Sequence, residues 1–186
     1  MIAIVGDIDP TSTASGFPTR LPLVGRAAVA AGAKVEVVGV ADDGPNGDQA
    51  LVALARERLG HAAVLRSPAG SLDTADLALA LRYLPDLRVV VLLGVGDALL
   101  PAAIEGAAFS GAKVLAVTDG DAVPAGLPGD AVVMRAPPSD SAGTFAGFVG
   151  QLAARLDAGA SAADAWTATT AALAIEPRTD WDPERA

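Results

Sequence analysis

A three-layer α/β architecture, with helices on both faces of a mainly parallel sheet, is what three features of this 186-residue sequence predict. Runs of branched aliphatic residues recur that are too short for helices and too continuous for half-exposed strands, so they read as strands buried on both faces. Ala/Leu segments with helical spacing separate them, and this alternation favours right-handed parallel crossovers. Glycine then marks the hand-over from helix to strand in two matching places, Ala31-Gly32-Ala33-Lys34-Val35 and Ser110-Gly111-Ala112-Lys113-Val114. A left-handed cap there suits a residue without a Cβ.

In chain order, Ile2 to Val5 is the first strand and Leu23 to Ala31 the first helix. Lys34 to Val40 is the second strand, followed by a helix over Gly47 to Leu59 and a strand-like run from Ala62 to Arg66, with His61 as a loop residue before it. A helix over Thr74 to Tyr83 leads to the strand Arg88 to Leu93, and Ala98 to Phe109 leads to the strand Lys113 to Thr118. Beyond Thr118 the texture changes to Gly120, Pro124, Gly126, Pro128 and Gly129, so a loop precedes a short edge strand at Ala131 to Met134. Helices at about Ala142 to Leu156 and Ala162 to Ile175 follow, separated at Gly159. Ser139 or Asp140 caps the first and Ser161 the second. One domain over residues 1–177 and a polar tail over 178–186 account for the chain, and Trp166 and Trp181 read as packing residues.

Composition removes whole classes of function. A formal charge of -9 leaves no basic footprint, so neither nucleic acid nor an anionic membrane is an expected partner. Cysteine is absent and His61 is the only histidine, which excludes thiolate chemistry, disulfides and a histidine metal cluster. The apolar runs fall far short of the ~20 residues of a membrane helix. The chain opens on Ile2-Ala3-Ile4-Val5 without a basic leader, so a cytoplasmic protein is expected. No Gly-x-Gly-x-x-Gly follows the first strand, which argues against a dinucleotide site.

Four motifs carry what chemistry there is. Ile4-Val5-Gly6-Asp7-Ile8-Asp9 ends the first strand, and Val38-Gly39-Val40-Ala41-Asp42-Asp43-Gly44-Pro45-Asn46-Gly47 ends the second. Val117-Thr118-Asp119-Gly120 closes a later strand, and Asp140-Ser141-Ala142-Gly143 runs into Thr144-Phe145-Ala146-Gly147. In this order, over roughly Met1 to Pro177, they resemble the PfkB, or ribokinase-like, family of carbohydrate kinases. In that family a Gly-Ala-Gly-Asp run followed by Thr-Phe or Ala-Phe carries the catalytic base.

The resemblance implies a ribokinase-like core, a sugar or related alcohol as substrate, and ATP with Mg as donor; no residue set in the chain itself specifies a cofactor. It implies that Thr118 and Gly120 lie beside the nucleotide, and that the amides of Ser141, Ala142 and Gly143 face its phosphates at a helix start. Asp7, Asp9, Asp42 and Asp43 are the implied substrate acids. Each set has a plainer reading: Asp7 and Asp9 as acids capping a turn, Asp42 to Gly47 as a loop entering a helix, Asp140 as a helix cap.

The departures from the family pattern matter as much. Gly143 stands where the base is expected, leaving Asp140 as the nearest candidate for a displaced catalytic carboxylate. Thr11 stands at the sugar-binding Asp, and Leu23 at a substrate-binding Asn. Only Pro10 to Pro22 occupies the place of the family's β-stranded lid, too little chain for several strands, so the lid is expected to be missing. The family's Asn-x-x-Glu metal motif has no counterpart; Asp97, Asp119 and Asp121 read as solvated turn acids and no metal site is assigned. The expectation is therefore a degenerate, non-catalytic domain that binds a small molecule or nucleotide as a regulatory or assembly module. The alternative is an active ATP-dependent phosphotransferase using Asp140. A homodimer is expected, through the first helix around Leu21, Leu23 and Val24 or the last around Trp166.

Overall fold

A computed structural model of the chain describes residues 1–8, 20–68, 71–120 and 122–173. Asp9, Thr11, Asp121, Trp181 and the tail lie outside the described residues, as does most of the segment between Pro10 and Pro22. The elements run β1 (Ile2–Gly6), α1 (Arg20–Ala30), β2 (Val35–Ala41), α2 (Pro45–Arg56), β3 (Gly60–Arg66) and α3 (Thr74–Tyr83). They continue with β4 (Val89–Leu93), α4 (Leu100–Ser110), β5 (Lys113–Thr118), β6 (Val132–Arg135), α5 (Thr144–Asp157) and α6 (Ala162–Ala172). All the described strands form one open sheet, ordered β3-β2-β1-β4-β5-β6, and every pairing is parallel.

The pleat of the central strands sorts the core into two layers. Ile2 and Ile4 of β1 pack with Leu21, Val24 and Leu152 on the α1/α5 side, while Ala3 and Val5 pack with Leu77, Leu81 and Leu100 on the α3/α4 side. Alternate residues of a strand face opposite ways, so a strand apolar at every position must be covered on both faces. Burying each such Ile, Leu or Val contributes about 1.5–3 kcal/mol relative to exposure. The two layers differ in how closely their helices meet. Gly150 of α5 lies against α1 so tightly that a Cβ there would sit 2.3 Å from the Val24 carbonyl oxygen.

Strands and helices fall where the sequence places them, with informative differences at the ends. Gly32 and Gly111 take the positive φ expected of them, 90° and 64°. Helix α1, described from Arg20, already covers the three residues ahead of the expected Leu23, and the buried Arg20 guanidinium donates to the Pro137 carbonyl across the fold at 2.5 Å. His61 lies inside β3 and not in a loop before it. That strand starts early because the buried Glu36 carboxylate of β2 accepts from the Ala62 and Ala63 amides, at 2.5 and 3.3 Å. Here the β2–β3 register shifts between Glu36 and Val38.

Of the surfaces first expected to dimerise, the one on α1 is taken up by the core, while Trp166 on α6 stays 46% exposed. Leu21 and Val24 are each 1% exposed and belong to the core, with half-buried Leu23 packed against it. Trp166 meets Phe148 edge-on at 4.9 Å between ring centroids.

Candidate functional site

The strand order reverses direction at β1 and β4, whose connections leave toward opposite layers, and crevices at such a point lie outside the carboxyl ends of the strands. Two clefts occupy that edge. The first, of about 250 Å³, is lined by Gly6 and Asp7 from the end of β1, Ser71 and Leu72 before α3, and Gly94, Val95 and Gly96 after β4. The second, of about 400 Å³, lies between the ends of β4 and β5, with Asp97, Thr118, Asp119 and Gly120 on its wall. They share Gly94, Val95 and Gly96, so one glycine-rich turn separates them. Exposed backbone there leaves room for a ligand to approach, and the Gly94 amide is already tied to the Val117 carbonyl at 3.1 Å. Thr118 closes its own turn, its hydroxyl donating to the Gly120 carbonyl at 3.1 Å.

A third locality is the start of α5. Its first helical residue is Thr144, two residues later than expected, and Gly143 precedes it in the left-handed conformation at φ 68°. The Gly143 amide donates to the Asp140 carbonyl at 2.9 Å, closing the turn that carries exposed Ser141 and Ala142. The Asp140 side chain then reaches over that turn. One carboxylate oxygen accepts from the Phe145 amide at 3.0 Å and the other from the Ala146 amide at 2.8 Å. A carboxylate suits the positive end of a helix, and both of its oxygens are directed at the backbone. Leu23 is the side chain nearest Gly143: its Cδ1 lies 3.5 Å from where a Cβ on Gly143 would be.

The residues singled out from sequence are thus divided among separate places. Thr118 and Gly120 share the β4/β5 cleft with Asp97 and Asp119, and exposed Asp7 lines the neighbouring cleft. Asp42 and Asp43 stand beyond Val40 on the turn into α2, off both clefts. There Gly47 packs on Asp42, with a Cβ at 47 only 1.7 Å from the Asp42 carbonyl oxygen. Among the described residues no group of three acidic or His side chains could hold a metal ion. No helix among them is long and apolar enough to cross a membrane. Sequence reasoning missed Ser71 and the Gly94-Val95-Gly96 turn and read Asp97 only as a turn acid, although glycines directly after a fully buried strand were a readable signal.

No family model matches the chain, and no curated protein does. Among solved structures, a putative ribokinase II from E. coli in its apo form superimposes with a TM-score of 0.59 at 12% identity, covering 94% of this chain and 92% of that one. The same E. coli protein in complex with ATP and Mg gives a TM-score of 0.56 at 11% identity, over 94% and 91% of the two chains. At this identity the likeness concerns architecture, and the open parallel sheet flanked by helices agrees with it. The chain has a ribokinase-like fold.

Proposed function

We propose that this ribokinase-like domain does not transfer phosphoryl groups and instead binds a small molecule or nucleotide at the carboxyl edge of its sheet, as a regulatory or assembly module. The observation that carries this reading is the pairing of Leu23 with Gly143, 3.5 Å apart measured to a Cβ at 143. The resemblance assigns a substrate-binding Asn to the first position and the base to the second, and here the two meet as a methyl group and a hydrogen atom. Loss of a general base alone removes roughly 10²–10⁴ in rate. Asp140, the nearest carboxylate in sequence, has both oxygens engaged by the amides of α5.

The β4/β5 cleft suits a phosphorylated ligand in its glycine-rich, backbone-lined wall. ATP with Mg, when bound, supplies the phosphoryl group and the neutralising charge. Thr118 and Gly120 would lie along the nucleotide, and Asp97 and Asp119 are the acids available on that wall. Magnesium commonly takes one or two carboxylates and completes its shell with phosphate oxygens and water, so a larger acidic cluster is not required.

The alternative, an active phosphotransferase on a sugar or related alcohol with Asp140 as displaced base, draws support from the likeness to a protein crystallised with ATP and Mg. Two clefts sharing one wall also suit a donor beside an acceptor. A coupled assay with ATP and Mg over a panel of sugars decides between them. The expected result is no sugar-dependent turnover. Robust turnover that Asp140→Asn abolishes in a folded protein would replace this reading with the alternative.

A further inference from the structure

We infer that the outer face of α3 and α4 is the contact surface of a two-fold dimer of this chain. Three of the seven exposed large apolar side chains among the described residues lie there, including the two most exposed: Leu79 is 56% exposed, Tyr83 78% and Phe109 68%. Leu79 and Tyr83 are one helical turn apart on the same face of α3. The Arg82 guanidinium lies 5.5 Å from the centroid of the Phe109 ring, joining the two helices across their groove. Isolated exposed apolar residues are ordinary, but a contiguous group containing Tyr and Phe beside an Arg has the composition of an interface centre.

Charge identifies the partner as a second copy. The chain carries a net charge of -9, so two copies repel unless they meet where charge is sparse and balanced. Across α3 and α4 the charged side chains are Asp76, Arg82 and Glu105 alone. Arg82 and Glu105 pair within one chain at 2.5 Å, and both remain largely exposed, at 47% and 62%. An isologous contact places each residue of the patch opposite the partner's equivalent set. A cation and an anion side by side on the patch become their own complement: Arg82 of each copy faces Glu105 of the other across the axis. The surface rests on the assembly part of the reading above and on nothing in the clefts. A chain that stays monomeric yet binds nucleotide refutes this face and leaves the cleft reading intact.

Sedimentation of the full chain from about 1 to 100 μM provides the test, in the affinity range accessible to such contacts. The wild type is expected to dimerise, and Tyr83→Asp and Phe109→Asp each to raise the dissociation constant by roughly 30-fold or more, with circular dichroism and melting unchanged. Arg82→Glu and Glu105→Arg each place like charges across the axis and are expected to be monomeric alone. Mixed in equal amounts, they are expected to form a heterodimer, because every cross-axis pair is then opposite in sign. A purely intramolecular Arg82–Glu105 pair gives no such rescue. A monomeric wild type at all concentrations, a dimer indifferent to both aspartates, or no recovery on mixing overturns the proposal.

Discussion

The start of α5 and the cleft between β4 and β5 both present polar backbone at the ends of regular elements, and they differ in who satisfies it. At α5 the chain answers its own amides: the Asp140 carboxylate accepts from Phe145 and Ala146, and Leu23 fills the space beside Gly143. At the β4/β5 edge the exposed residues Gly94, Gly96 and Gly120 and the Thr118 turn surround about 400 Å³ of open space. The contrast teaches that a helix start is not an anion site merely because it is a helix start. The positive end of α5 is stabilised by an internal anion, and an incoming phosphate has to displace a tethered group.

The sharpest way to break this contrast is to part the helices that impose it. Gly150→Val places branched carbons where even a Cβ would sit 2.3 Å from the Val24 carbonyl oxygen. Overpacking of this kind costs about 1–3 kcal/mol, and separation of α1 from α5 takes it to the upper end or to outright unfolding. Denaturant titration is the measurement. A variant as stable as wild type would mean that α1 and α5 do not meet as closely as described.

Next in size is Asp140→Ala, which strips two hydrogen bonds from the start of α5. The expected loss is about 1–2 kcal/mol, a fall of roughly 2–8 °C in Tm for a chain of this length. The same variant should gain what the wild type lacks, a rise in Tm with inorganic phosphate, because the helix amides are then free to take an anion. If wild type and variant respond to phosphate alike, the anion is bound elsewhere.

Gly143→Ala tests the turn itself. A φ of 68° costs an alanine about 1 kcal/mol, and asparagine tolerates that region better, so Gly143→Asn should cost less than Gly143→Ala in thermal melts. Equal losses would point to crowding by Leu23 in place of backbone strain.

The smallest effect is expected at the open cleft. Millimolar ATP with Mg, bound at about its dissociation constant, stabilises by only ~0.4 kcal/mol, a shift of one or two degrees. A Cβ on Gly120 meets nothing within 4 Å, so Gly120→Glu should fold normally and abolish that shift by putting a carboxylate against the phosphates. Persistence of the shift in Gly120→Glu would move the nucleotide out of this cleft.

How much of this could be read from sequence depends on how local its cause is. The central strands were legible because their residues are buried on both faces, and α3 and β5 were placed to the residue, since their limits lie in their own side chains: Asp73 caps α3 at the Asp76 amide. The glycine endings of α1 and α4 were legible for the same reason. Boundaries slipped where the cause is distant. Glu36 draws His61 into β3 from another strand. The α5 cap was foreseen at Asp140, but its mode was not, because it acts over a left-handed glycine on amides five and six residues ahead. The clefts were half legible. Thr118, Gly120 and Asp7 line them, but the shared Gly94–Gly96 wall owes its place to strand order, which no local pattern encodes.

Glu36 has a consequence for how the sheet assembles. Strand β3 is an edge, held by β2 alone, and its neighbouring carboxylate accepts from Ala62 and Ala63 opposite it, with Gly60 leaving room: a Cβ there would lie 1.9 Å from the other carboxylate oxygen. A strand slipped by two residues would still present backbone amides to this carboxylate but would bring a side chain where Gly60 leaves room, crowding the buried group. The Glu36–Gly60 pair thus favours the observed alignment of β3 on β2. A substitution such as Glu36→Val would be tolerated by burial while removing that discrimination, trading fidelity of folding for greasiness at the edge where aggregation begins.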